Sequence, residues 1–421
     1  MWQTTTVGEL AAPRRNALVG GPFGSNLVTA DYVEEGVPVI RGQNMGQGRW
    51  VGGEFVFVSA QKAEDLSANL AVPGDLVFTQ RGTLGQVALV PQGGYERYIV
   101  SQSQMKLSVD EAAASPLFLY YLFSSPEQID LIKSNSIQTG VPHTNLSFLR
   151  AMRVKLPPLE EQHRITTVLG SLDDKIELNR RMNQTLEAMA RAIFKSWFVD
   201  FEPFNAVSSG SSTLVPSDWK TCPIGDAVTV LGGSTPSTTE ARYWGGNYNF
   251  ATPKDLADLV DPILLDTERT ITAEGLSKTN SGLLSPGTVL LSSRAPIGYL
   301  AITDIPVAVN QGFIAMVCDR ELPSFYVLQW ARHNMETIIG NANGTTFLEI
   351  SKKNFRPIEV IVPPKVVLDR FVGLVAPLYR RIASNLKESR TLSTLRDTLL
   401  PKLLSGEIRV KQAEKAVAEV V

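Results

Sequence analysis

Cysteine is nearly absent from this chain. Only Cys222 and Cys318 occur, which leaves no disulfide framework to read. Histidine appears three times, at His143, His163 and His333, too scattered for a His/Cys zinc site, so no metal site is expected. No apolar run approaches the ~18 to 20 residues of a membrane span. The opening MWQTTTVGELAAPRRN lacks the apolar stretch of a signal peptide. These absences predict a cytoplasmic protein without membrane contact. A basic excess is missing too, since the formal net charge is −2. Only residues 365–421 are distinctly basic, with 11 basic and 6 acidic side chains. Any nucleic-acid binding must therefore rest on local patches or on partner chains.

Catalytic signatures are missing as well. There is no GxxxxGK[ST] phosphate loop, no GxSxG elbow and no HExxH helix. The two Pro-Pro pairs follow Leu156 and Val362, not the Asn or Asp of an adenine methyltransferase motif. Carboxylates form no obvious nuclease site, although nuclease motifs are degenerate. The chain reads as a binding or scaffolding protein, with 421 residues for two or three domains.

What is present is a long amphipathic helix at the midpoint, and it occurs twice. It opens after Pro157-Pro158 in LPPLEEQHRI. Ile165, Val168, Leu172, Asn179, Met182, Leu186, Met189 and Ile193 fall on a heptad seam. After Pro363-Pro364, Phe371, Leu374, Leu378, Asn385, Leu392, Leu395 and Leu399 repeat the pattern. Asn179 and Asn385 take matching seam positions, where a lone Asn costs stability but fixes register and orientation. Pro377 is expected to kink or interrupt the second helix.

The remainder repeats too. MWQTTTVGEL matches DWKTCPIGDA, and VPGDLVFTQRGTLGQVAL matches SPGTVLLSSRAPIGYLAI. These matches pair Trp2 with Trp219, Gly74 with Gly287, and Arg81 with Arg294, while the offset drifts from 217 to 204. Short β-rich runs between Gly and Pro turns, with helices at SPLFLYYLFSSPEQIDLIKS and PSFYVLQWARHNMETIIG, indicate mixed α/β (α+β) units. The expected layout is a first recognition unit at 1–158, a central helix at 159–204 and a joint at 205–217. A second unit follows at 218–364, then a helix at 365–404 and a tail at 405–421. If the halves are related by a pseudo-twofold, the helices pack antiparallel.

Three stretches resemble the DNA-specificity subunit of type I restriction–modification enzymes. They are residues 156–203, LRDTLLPKLLSGEIRV at 395–410, and GGSTPSTTEARYWGGNYNFATPKDL in the second unit. The first unit departs from that opening, with GGPFGSNLVTADYVEEGVPVIRGQNM in its place, so residue-by-residue transfer is weaker there. The resemblance implies two target-recognition domains reading a split double-stranded DNA site, spaced by an antiparallel coiled coil. It implies two methylation subunits docked on the helices and restriction/translocase subunits joining them. S-adenosylmethionine, ATP and Mg would then belong to those partners, with no cofactor in this chain. The seam spans about 33 residues, roughly 50 Å at ~1.5 Å each, against ~34–36 Å for a turn of DNA. The other readings are a self-contained methyltransferase or nuclease, and a coiled-coil scaffold that does not read DNA.

Base edges are read by forked or paired hydrogen-bonding side chains. In the first unit the candidates are Arg41, Gln43, Asn44, Arg81, Gln102 and Gln104. In the second they are Thr252, Lys254, Arg294, Asn310 and Gln311, with Lys352, Lys353 and Arg356 as a phosphate patch. Each lies beside a β run and near Gly or Pro, as loops at a sheet edge do. Arg81 and Arg294 share one place in the repeat, which suits base readout, a phosphate contact or a structural brace alike. Trp197, Phe198 and Phe201 either cap the helix bundle by packing or dock a partner.

Overall fold

The computed structural model describes residues 2–46, 48–137, 140–204, 215–294, 296–344 and 348–419. The chain forms two compact units. One comprises Met1–Glu177 with Ser389–Val421, the other Leu178–Glu388. Of the expected joint at 205–217, residues 205–214 lie outside the described residues.

In the first unit, strands Gln3–Thr6 and Arg153–Leu156 pair antiparallel and tie the two ends of the recognition domain together. A four-stranded sheet runs in the order Leu18–Gly20, Gln104–Leu107, Leu76–Thr79, Val87–Leu89. The central two strands are buried along their whole length, with the polar Thr79, Gln104 and Lys106 included, and Lys106 is paired with Asp75 at 3.4 Å. A five-stranded sheet carries the parallel pair Val37–Ile40 and Tyr98–Val100. The helix expected at SPLFLYYLFSSPEQIDLIKS is two helices, Pro116–Phe123 and Pro126–Ser134. Pro126 disfavours helical geometry at Ser125, so the chain restarts there. Ser115 caps the first helix by accepting from the Phe118 N–H.

The second unit repeats this plan. Lys220–Pro223 pairs with Glu359–Val362. Its main sheet runs Thr229–Leu231, Phe313–Val317, Val289–Ser293, Ile297–Thr303, Ile263–Leu264. The parallel pair is here Trp244–Ala251 and Val307–Val309. The helix expected at PSFYVLQWARHNMETIIG is again two, Ser324–His333 and Met335–Gly340.

The long helices are Leu159–Phe198 and Lys365–Ser405, of 40 and 41 residues, about 60 Å each. Each unit contains part of both, and within each the two run antiparallel. In the first unit Asp173 accepts from Arg396 at 2.6 Å, and Glu161 lies 3.9 Å from Arg409. Ile165, Leu169, Leu172, Leu392, Leu399 and Leu403 join one core with Phe118 and Phe123. In the second unit the Asn179 amide donates to Glu388 at 2.8 Å, and Asn385 donates to Asn183 at 2.8 Å. Phe198 and Phe371 stand 5.0 Å apart, ring centre to ring centre.

Two seam assignments are corrected. Met189 is 46% exposed and Leu374 is 50% exposed, while Ala190 and Val375 beside them are fully buried. The buried positions here are Asn179, Asn183, Glu187, Ala190, Phe194 and Phe198 on one helix, and Phe371, Val375, Tyr379 and Ile382 on the other. Steps of four, four and three replace the heptad, so a frame carried on in sevens drifts off the seam. Pro377 does not interrupt its helix. It sits on the exposed side, as does Gly373 four residues before, whose carbonyl the proline ring would crowd. The tail at 405–421 is not a bare extension. Gly406 turns the chain at φ +76°, and helix Val410–Ala418 then buries Ala413 in the first unit's core. Phe198 and Phe201 are buried and Trp197 packs against Phe198, Phe204 and Phe371, so this aromatic group is core of the second unit.

Candidate nucleic-acid interface

In each unit, loops from several strands meet at one end of the sheets. In the first, the segment after Val37–Ile40 lies beside the segment after Tyr98–Val100, where Ser101 N–H donates to the Ile40 carbonyl at 3.0 Å. Gln80 and Arg81 both donate backbone N–H groups to Ser103, at 2.7 and 3.2 Å. Gly21 crosses so near that a Cβ would stand 1.9 Å from the Ser101 carbonyl oxygen. In the second unit Gly233 makes the same crossing, with a Cβ 1.7 Å from the Val309 oxygen. No side chain fits at either place. The doublets Gly20-Gly21 and Gly232-Gly233 carried this signal in the sequence, unread.

Arg81 and Arg294 are structurally equivalent. Arg81 makes an isolated antiparallel bridge to His143, which also bridges Ile137. Arg294 bridges Glu349, which also bridges Asn343. The two side chains differ in what surrounds them. Arg81 is exposed, with no side-chain partner among the described residues. The Arg294 guanidinium lies 3.7 Å from the Glu349 carboxylate, both of them partly exposed.

Several candidates are committed to the fold. Asn44 is buried: its Oδ1 accepts from the Arg41 N–H at 3.0 Å, and its amide donates to the Gly52 and Glu54 carbonyls. Gln104 is fully buried and its carbonyl accepts from the Ser101 hydroxyl. Neither presents a hydrogen-bonding group at the surface, which corrects both assignments. Thr252 caps a short helix, its N–H and hydroxyl both donating to Asp255, and Asn310 accepts from the Gly312 N–H. Arg356 belongs to the fold rather than to a phosphate patch. It donates to the Val230 carbonyl at 2.8 Å, as Arg150 does to Leu18 in the first unit.

Others remain at the surface. Gln43 is exposed, with one long hydrogen bond of 3.4 Å to Glu54. Gln102 is exposed and its amide braces the loop below by donating to the Gly24 and Leu27 carbonyls. Phe23, on that loop, is 84% exposed. Gln311 accepts from Thr235 at 2.6 Å. Lys254 is exposed and donates to Glu268 at 2.8 Å, a hydrogen bond that raises its pKa above the ordinary lysine value. Lys352 and Lys353 are exposed on a turn capped by Ser351. Arg41 is half-buried, and its Nε is enclosed without a partner among the described residues. The arrangement offers forked and amide donors on one rim of each unit. Among the described residues no group of three or more His, Cys, Asp and Glu side chains can hold a metal ion.

A fold built twice, with polar rims and a helical pair, is that of a modular recognition protein. Residues 27–188 and 216–367 each match the type I restriction modification DNA specificity domain, and the chain belongs to that family. It is a specificity subunit, the component of a type I restriction–modification system that selects DNA and is not itself catalytic. It is 26% identical over 376 residues to the type I restriction enzyme MjaIX specificity subunit of Methanocaldococcus jannaschii, covering 85% of each chain. It is 25% identical over 399 residues to the HindI specificity subunit of Haemophilus influenzae, covering 80% of this chain and 86% of that one. The crystal structure of the S subunit from M. genitalium superposes with a TM-score of 0.59 at 18% identity, covering 96% of both chains. Among the described residues no helix is long and apolar enough to cross a membrane.

Proposed function

We propose that each unit reads one half of a bipartite double-stranded DNA target through its loop rim, and that the helices hold two methylation subunits. Restriction/translocase subunits join that assembly in the cytoplasm. S-adenosylmethionine, ATP and Mg are carried by those partners. The observation that supports this reading best is the recurrence of one rim in two units, with Arg81 and Arg294 at the same node and different side chains around them. A shared frame with variable surroundings suits two half-sites of different sequence. On this reading the exposed rim side chains, Gln43, Arg81, Gln102, Lys254, Arg294 and Gln311, contact bases or the backbone, and Lys352 and Lys353 contact phosphate.

Exchange of residues 1–155 for those of another specificity subunit tests it, with methylated adenines mapped across the genome. One half of the methylated sequence should change and the other stay. A change in both halves refutes independent reading. Methyl transfer by the purified chain alone would instead identify a self-contained enzyme.

A further inference from the structure

The segment after the parallel-paired strand has two ends with different surroundings in each unit. In the first unit it starts at the rim with Arg41 and Gln43. It then runs to Arg49, just before Trp50 bridges Leu89. In the second it starts with Thr252 and Lys254. It runs to Asp261, just before Ile263 pairs with Ile302. So Arg49 and Asp261 stand at matching places, each next to the edge of the main sheet. Both are charged and both are buried, at 9% and 7% exposure.

Each reaches the helices. Arg49 donates one guanidinium nitrogen to the Gly170 carbonyl at 3.3 Å and another to the Asp174 carboxylate, and its guanidinium covers the Trp50 ring at 4.8 Å. Asp261 accepts from the Asn183 amide at 2.8 Å, and Asn183 in turn accepts from Asn385 at 2.8 Å. The first unit thus grips one helix with a cation. The second grips both helices through an anion and two amides. A buried charge is costly unless paired and hydrogen-bonded, so its presence at both places needs a reason beyond packing.

We infer that Arg49 and Asp261 are positioning residues: each fixes its recognition rim against the helical pair of its own unit, and so sets where that rim meets DNA. In the first unit the rim end is bonded back to the residues just past Arg49: the Gly52 N–H donates to the Asn44 carbonyl at 3.0 Å and the Asn44 amide to the Gly52 carbonyl at 3.0 Å, so a shift at the clasp carries to the rim. This inference rests on the DNA-reading function proposed above for its consequence, though not for its geometry.

Asp174 provides the cleanest variant. Its side chain is 70% exposed, so Asp174→Asn removes the charge partner of Arg49 on the helix without opening the core, leaving the hydrogen bond to Gly170. The full chain, with Cys222 and Cys318 replaced, would carry spin labels at Gln43 and Thr167. A single narrow distance is expected, with broadening or a shift in Arg49→Gln and in Asp174→Asn. Arg49→Lys, which keeps the charge but loses the fork, should fall between. Unchanged distances in both variants overturn the inference. Binding of the assembled complex to duplexes with the spacer altered by one base pair reads the consequence. The variants should lose discrimination between spacers by roughly tenfold or more, as small misplacements do, and full discrimination in both overturns the inference. A wild-type complex that binds no specific site would sink the DNA-reading function, while the label distances still decide the clasp.

Discussion

Arg81 and Arg294 carry the residue-scale prediction. Arg81 is exposed, with no side-chain partner among the described residues, whereas Arg294 has Glu349 beside it at 3.7 Å. A bidentate Arg–guanine contact is worth about 1–3 kcal/mol of discrimination. Arg81→Ala and Arg294→Ala should each weaken specific binding by the assembled methyltransferase while assembly itself persists. Base changes in the matching half-site then separate readout from anchoring, since loss of a phosphate contact weakens all sequences and lowers the salt slope by about one. Wild-type affinity in both variants at physiological salt would make the two loops structural. The sequence showed which loops form the rim but not which side chains face out from it. Asn44 and Gln104 have the right chemistry for adenine, yet both are buried. Their partners are the Gly52 and Glu54 carbonyls for one and the Ser101 hydroxyl for the other. Side chains such as Asn and Gln serve base edges and backbone carbonyls equally well, and only the closed fold decides between them.

At the scale of the helices, much was legible. The Pro-Pro pairs mark both starts, and the apolar frame from Ile165 to Asn179 is buried at Ile165, Val168, Leu172 and Asn179. It failed where the spacing changes to four, four and three, because a heptad frame has no means to anticipate such a step. Asn183 was missed for the same reason, although it completes the polar layer with Asn385. Stability measurements check the corrected seam. Phe194→Ala and Phe371→Ala remove buried rings and should each cost about 3–5 kcal/mol. Met189→Ser and Leu374→Ser lie on the exposed side and should stay within about 0.5 kcal/mol in the isolated chain. The reverse order in denaturant titrations would restore the strict heptad. Pro377 teaches a related point. A proline inside a periodic pattern does not end a helix when it sits on the open side and the residue four before it is glycine.

For the molecule as a whole, the duplication was readable because it leaves paired landmarks, Trp2 with Trp219 and Gly74 with Gly287. The tail helix Val410–Ala418 was not, since nine residues with one fully buried alanine give a weak pattern. Its place in the first unit has a consequence for how the protein is made. The second unit is one uninterrupted stretch, Leu178–Glu388, whereas the first needs residues from both ends of the chain. Domains fold as their residues emerge during synthesis. The recognition domain that begins first is therefore finished last. It waits for Leu392, Leu399, Leu403 and Ala413 to close its core, while the domain behind it is already complete. A chain stopped after Glu388 should show slow amide exchange in strands Val289–Ser293 and Phe313–Val317. It should show fast exchange, or protease cutting, at helix Leu159–Phe198 before residue 177. Equal protection of both would mean that the first unit closes unaided. Until residues 389–421 leave the ribosome, the nascent subunit has one closed unit and one open core for a chaperone to shield.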